Sequence, residues 1–195
     1  LPQLPYSGRD LWPYRRAEPI SQQDGNATQE VSIVTISEGQ ALPEATLVRM
    51  GDKGAEPVST GDLTRGRKVV IFAVPGAFTP TCHSAHVPSF IRTKAGFDAK
   101  GVDEIICVSV NDPFVMKAWG EATGATAAGI TMLADAESHL TRALGLDFTA
   151  PPVGLIARSK RYAMYVVDGT VQKLHLEESP GTCEISGGEA LLAAI

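Results

Sequence analysis

Cysteine is scarce. Three residues, Cys82, Cys107 and Cys183, are scattered over 195 positions. They are too few for a disulfide-stapled secreted domain and lack the clustering of a zinc site, so a reducing compartment and no metal are expected. Positive charge is in deficit: 17 Lys and Arg stand against 22 Asp and Glu, a net charge of −5. Binding to a phosphate backbone needs a basic stripe, which removes nucleic acid from the expected partners. Long apolar runs are also missing. Pro, Gly or charge interrupts each of them short of the roughly 20 residues that cross a bilayer, so no membrane partner is expected. Neither an internal repeat nor a secretory leader is visible.

What is present suffices for one core. With 44% hydrophobic residues, a chain of this length buries about two-thirds of its unfolded surface in a single domain. Residues 1–30 are rich in Pro, Gln, Ser, Asn and Gly and show no periodicity. They read as a flexible N-terminal arm, dispensable for chemistry, with the folded domain at 31–195. In that domain Ala45–Met50 predicts a first strand, and Ser59-Thr60 a short capped helical turn. Lys68–Val74 (KVVIFAV) has the composition of a strand buried on both faces and stops at Pro75-Gly76. A helix is expected over Thr79–Lys94, with Pro80 near its start and Pro88 marking a kink or a second beginning. Glu104–Val110 reads as a strand, Asn111-Asp112-Pro113 as the cap of a helix over Phe114–Glu121, Thr131–Ala134 as a strand, and Ser138–Leu144 as a helix ended by Gly145. Tyr162–Val167 and Val171–Leu176 form a hairpin about Asp168-Gly169, and a last helix runs from Gly188 to Ile195. This order implies an α/β fold with a central mixed β-sheet flanked by helices on both faces.

The segment VPGAFTPTC, Val74–Cys82, puts a cysteine in the first turn of a helix that leaves the carboxyl end of a buried strand. Ligands bind at that end of an α/β sheet, and the helix tip offers unpaired N–H groups and partial positive charge. An ordinary thiol titrates near about 8.5, and such surroundings bring cysteines into the range of about 3.5–7.5. Cys82 is therefore the expected nucleophile. A lone cysteine is more commonly a small core residue, but Pro75 and Thr79 stand at offsets that suit a reactive site, with the Thr79 hydroxyl one turn back. His83 is adjacent in the helix and points away. His86, four residues on, shares the face of Cys82 and reads as a structural or pocket-edge group. His139 and His175 are isolated.

Pro75-x-x-x-Thr79-x-x-Cys82, together with VPGAFTPTC and His86-Val87-Pro88-x-Phe90, resembles the active-site signature of the peroxiredoxins, in their type II or peroxiredoxin-5 branch. The resemblance extends over Ala45–Ile195, through KGVDEIICVSVNDPFVMKAWG (Lys100–Gly120) and RSKRYA (Arg158–Ala163). It implies a thioredoxin-like fold, with Thr79 where thioredoxins carry a first thiol. It also implies a peroxidase that reduces hydrogen peroxide and alkyl hydroperoxides, in antioxidant defence, with no bound cofactor. On the same resemblance Cys82 is the peroxidatic nucleophile, Thr79 hydrogen-bonds thiolate and peroxide, and Pro75 shields the pocket from water. Arg161 matches the arginine that stabilises charge on the departing oxygen, with Arg158 as the other candidate. His83 departs from the serine that often follows the nucleophile.

A sulfenic acid at Cys82 must meet a thiol before a second peroxide oxidises it further. Cys183, in the loop before the last helix, lies near the tail cysteine that resolves the animal peroxiredoxin-5 enzymes, across a gap in the alignment. Cys107 matches the second cysteine of plant type II enzymes but falls inside an apolar strand, where it also reads as core filler. The expected reductant is thioredoxin, glutaredoxin or glutathione. Phe78, Phe114 and Trp119, at the same end of the sheet, read as core or as the edge of a homodimer interface beside the pocket. The few scattered cysteines make the expected location intracellular: the cytoplasm or, after removal of a targeting segment, a mitochondrion or plastid. Two competing functions are a disulfide oxidoreductase, which normally uses two close thiols, and a redox sensor whose oxidised Cys82 signals to a partner.

Overall fold

The computed structural model describes residues 35–195, so the arm expected at residues 1–30 lies outside the described residues. The chain runs through β1 (Thr46–Gly51), β2 (Gly54–Ser59), α1 (Thr60–Thr64), β3 (Lys68–Val74), a π-helical turn (Cys82–His86), α2 (Val87–Ala99), β4 (Glu104–Ser109), α3 (Pro113–Thr123) and β5 (Ile130–Ala134). It continues through α4 (His139–Ala143), β6 (Asp147–Ala150), a 3-10 turn (Pro151–Val153), β7 (Leu155–Ser159), β8 (Tyr162–Val167), β9 (Thr170–Leu176) and α5 (Gly188–Ala194). Seven strands form one sheet in the order β2-β1-β5-β4-β3-β8-β9, while β6 and β7 pair separately. The β3–β4 and β4–β5 pairs are parallel and the β3–β8, β8–β9 and β1–β2 pairs antiparallel, so the sheet is mixed, as expected.

β3 organises the core because it is apolar at every position after Lys68. Alternate side chains of a strand face opposite ways. Val70, Phe72 and Val74 pack with Phe90 and Phe97 of α2, Trp119 of α3 and Leu191 of α5 on one face. Val69, Ile71 and Ala73 pack with Leu63 of α1 and Leu140 of α4 on the other. Each such side chain contributes about 1.5–3 kcal/mol on burial, before the entropy of ordering it. Helices therefore cover both faces, and the carboxyl end of β3 is a fixed platform for the Pro75–Thr81 loop and the helix beyond it.

Local chemistry explains most boundaries. Ser59 caps α1, and Asp112 accepts from the N–H groups of Phe114 and Val115 to cap α3. Asp168 (φ 47°) and Gly169 (φ 73°) are both left-handed, as a two-residue type I′ hairpin turn requires. The helix after β3 departs from expectation. The helical run starts at Pro80 and ends at Ala99, but Cys82–His86 is a π-turn in which the Val87 N–H bonds to the Cys82 carbonyl. Pro88 has no N–H to give the carbonyl of Ser84, so the ladder shifts register there. β2 carries no strand signal in the sequence; it is an edge strand, where Pro57 costs no ladder bond on the open side. β6 and β7 are equally unmarked, because Pro151, Pro152 and Gly154 separate them and give the stretch the composition of a loop; the 3-10 turn ends at Gly154, at φ 70°. Among the described residues no helix is long and apolar enough to cross a membrane.

Candidate active site

Strand register assembles the site. Ala73 of β3 lies opposite Tyr162 of β8, so Arg161, one residue before β8, arrives at the level of Val74 and Pro75. Cys82 enters the helical run just beyond. Both Cys82 and Arg161 are buried, at 0% and 1% exposure. Arg161 Nη2 donates to Cys82 Sγ at 3.3 Å and to the Pro180 carbonyl at 2.8 Å. An arginine cannot lose its proton, so a permanent cation touches the sulfur in a water-poor setting where such hydrogen bonds are strongest. Arg161 Nε is buried without a hydrogen-bond partner among the described residues.

His86 stands behind the arginine, fully buried, and contacts the guanidinium. Its Nδ1 is 3.2 Å from Arg161 Nη1 and its Nε2 is 2.9 Å from the Ser186 carbonyl. Arginine only donates and a carbonyl only accepts, so Nδ1 is the acceptor and the proton sits on Nε2. Burial, followed by the charge of Arg161, lowers the His86 pKa to about 3, against the opposing pull of Ser186 and Glu177. The imidazole is neutral at any physiological pH.

Thr79 and Pro75 lie in the loop between β3 and the turn that carries Cys82. The Thr79 hydroxyl donates to the Gly76 carbonyl at 2.8 Å, and among the described residues Arg161 rather than Thr79 donates to the Cys82 sulfur. Pro75 is buried, and its carbonyl accepts from Arg158 Nη1 at 3.5 Å. The sequence marks Asn111 only as a capping signal, yet its Oδ1 accepts from the Ala77 N–H at 3.0 Å, the Ser109 hydroxyl at 2.8 Å and Arg158 Nη1 at 3.2 Å. Arg158 thus braces the Pro75–Ala77 loop, and of the two candidate arginines Arg161 is the one at the sulfur. A Cβ on Gly76 would stand 3.1 Å from Arg158 Nη1 and 3.2 Å from Thr79 Cγ2, so this close approach suits glycine.

All three cysteines are free. Cys107 is buried in β4 opposite Phe72, and burial, with the nearby Cys82 charge, pushes its pKa well up. Cys183 is half-buried, and burial raises its pKa against the lowering pull of Arg161 and Ser186. Its loop closes over the start of the Cys82 helix: Thr81 donates to the Gly181 carbonyl at 2.9 Å. Glu177 holds the loop by accepting from Glu184 N (2.7 Å), Ser186 N (2.9 Å) and the Ser186 hydroxyl (2.9 Å). Burial alone would raise the Glu177 pKa, but these hydrogen bonds lower it overall.

The aromatic trio divides. Phe78 and Phe114 are 53% and 65% exposed, and Phe78 has a left-handed φ of 61°. Trp119 is fully buried, so its place is core and not a surface edge. It lies on the inward face of α3, where its indole N–H donates to Nδ1 of the exposed His83 at 3.2 Å.

The model of the redoxin family matches residues 37–192. The chain belongs to the redoxin family. Among its relatives, Peroxiredoxin-2E-2, chloroplastic, of Oryza sativa subsp. japonica is 48% identical over 84% of this chain and 74% of its own length. The crystal structure of reduced Prx3 from Vibrio vulnificus in complex with hydrogen peroxide is 48% identical, covers 82% of this chain and 99% of that one, and superposes with a TM-score of 0.77. Peroxiredoxin 5 from Alvinella pompejana is 33% identical over 82% of this chain and 97% of that one, with a TM-score of 0.71. The protein is thus a peroxiredoxin with a thioredoxin-like fold, a thiol peroxidase that takes a peroxide as substrate and a thiol as reductant.

Proposed function

We propose that Cys82 is the peroxidatic cysteine of this peroxiredoxin and that Arg161 makes it one. The contact of 3.3 Å between Arg161 Nη2 and Cys82 Sγ carries this assignment. The thiolate attacks one peroxide oxygen, an S–O bond forms as the O–O bond breaks, and the electron pair leaves on the second oxygen. That oxygen takes a proton and departs as water or an alcohol, while the sulfur, oxidised by two electrons, becomes a sulfenic acid. Negative charge moves from sulfur to oxygen, and a fixed guanidinium in a dry pocket follows it without reorganising. Arg161 Nε supplies a spare donor. The oxygen of Thr79, whose hydroxyl proton is donated to the Gly76 carbonyl, accepts from the bound peroxide, and Pro75 keeps water out.

Cys183 resolves the sulfenic acid. Its loop already meets Arg161 through Pro180 and Thr81 through Gly181, whereas Cys107 could reach Cys82 only by opening the sheet. Condensation of the Cys183 thiol with the sulfenic acid releases water and leaves a disulfide, which thioredoxin or glutaredoxin reduces; without Cys183, glutathione takes its place. The exposed Phe78 and Phe114 belong to a homodimer interface. The chloroplastic rice relative favours an organelle, which fractionation of the source tissue would test.

With excess hydrogen peroxide and a thioredoxin or glutaredoxin system, the reduced protein consumes peroxide continuously. Cys82→Ser abolishes this, Cys183→Ser keeps one fast equivalent but slows turnover, and Cys107→Ser changes neither. Full turnover in Cys82→Ser contradicts the assignment.

A further inference from the structure

We propose that His86 is a positioning residue of the peroxidase site: it holds Arg161 against Cys82 and fastens the guanidinium to the root of the loop that carries Cys183. This rests on the assignment of Cys82 and Arg161 above.

Among the described residues the Arg161 guanidinium has three hydrogen-bond partners, and two of them change in the proposed turnover. The Cys82 sulfur becomes a sulfenic acid, and the Pro180 carbonyl belongs to the loop that must move for Cys183 to reach it. His86 Nδ1, at 3.2 Å, is the stationary partner. Its ring is locked edge-on to Phe72, with centroids 5.1 Å apart at 63°, and lies 5.5 Å from Phe90. Packed core side chains of this kind hold one rotamer.

The far side of the ring closes a circuit. Nε2 donates to the Ser186 carbonyl at 2.9 Å, the Ser186 N–H and hydroxyl both donate to Glu177 at 2.9 Å, and the Glu177 N–H donates to the Arg161 carbonyl at 3.0 Å. The guanidinium, the imidazole, the loop root and the Arg161 backbone thus form one hydrogen-bonded ring. Residues 178–185, between the Glu177 and Ser186 anchors, carry Pro180 and Cys183 and are tied to the circuit only at its edge, by Pro180 to Arg161 and by Thr182 and Glu184 to Glu177. Among the described residues the charges acting on the ring are those of Arg161 and Glu177, and the Cys82 thiol lies one turn back. A proton on Nδ1 would set donor against donor at Arg161, so the circuit requires the neutral tautomer.

Two single-turnover rates at Cys82 separate positioning from general support of the fold. Oxidation by hydrogen peroxide expels an oxygen anion that Arg161 must meet; alkylation by iodoacetamide expels iodide and needs no such partner. In His86→Leu the peroxide rate is expected to fall about 10- to 100-fold, the cost of losing an oriented charge-assisted hydrogen bond, and the alkylation rate far less. His86→Asn, whose side-chain oxygen can stand near the Nδ1 position, is expected to recover much of the peroxide rate. Near-UV circular dichroism shows whether each variant is folded. Equal loss in both rates, a wild-type peroxide rate in folded His86→Leu, or no rescue by Asn overturns the proposal. Should His86→Leu not fold, His86→Asn against His86→Gln decides: a faster Asn variant supports the proposal and equal rates overturn it. A failure of the underlying assignment shows separately, as peroxide oxidation that survives Cys82→Ser.

Discussion

At the scale of single residues, the neutrality of His86 carries a cost at low pH. An imidazole in the unfolded chain titrates near about 6.5, whereas burial and Arg161 hold His86 to about 3 in the folded protein. Between those values the unfolded state binds more protons, so stability rises with pH. The contribution is fully present above pH about 6.5 and is lost as pH falls toward the folded value. From pH 7.5 to 5 this residue should cost the wild type up to about 2 kcal/mol. Urea unfolding at both pH values is expected to show a smaller loss in His86→Asn than in the wild type; identical losses would contradict the neutral, buried imidazole.

At the scale of elements, β3, β8 and the Asp168-Gly169 turn are legible in the sequence because a buried β-branched run and a left-handed turn pair each need only local composition. The position of Cys82 after β3 is legible for the same reason. β2 is obscured by Gly54, Glu56 and Pro57, which carry no strand signal; its pairing with β1 supplies the order that propensity does not. The π-turn is hidden because Pro88 signals an interruption without saying how the backbone absorbs it. The partners of Arg161 are harder still. His86 lies 75 residues away in sequence and Pro180 lies 19 away, and tertiary pairing of β3 with β8, together with the Glu177 anchor of the loop after β9, brings all three to one place. Cys82 and Arg161 could be named from a motif; the circuit through Ser186 and Glu177 could not, because no local pattern encodes it.

At the scale of the whole molecule, two large aromatic side chains, Phe78 and Phe114, are exposed among the described residues. Phe78 follows β3 and Phe114 opens α3 after β4, so the parallel pairing of those strands puts both at the same end of the sheet. Burial of such surface against a second copy is the proposed role, and Phe114→Asp is expected to shift sedimentation from dimer to monomer; a monomeric wild type at micromolar concentration would contradict it. The proposed mechanism rests on one cation held against one sulfur, and the rate of that sulfur with peroxide reads this directly. Reduced wild type and Arg161→Lys are mixed with hydrogen peroxide in a stopped-flow instrument, and mass spectrometry locates the added oxygen. The account predicts the oxygen on Cys82 and a rate about 100-fold lower in the folded lysine variant. Equal rates in the two proteins, or an oxygen carried anywhere but Cys82, would contradict it.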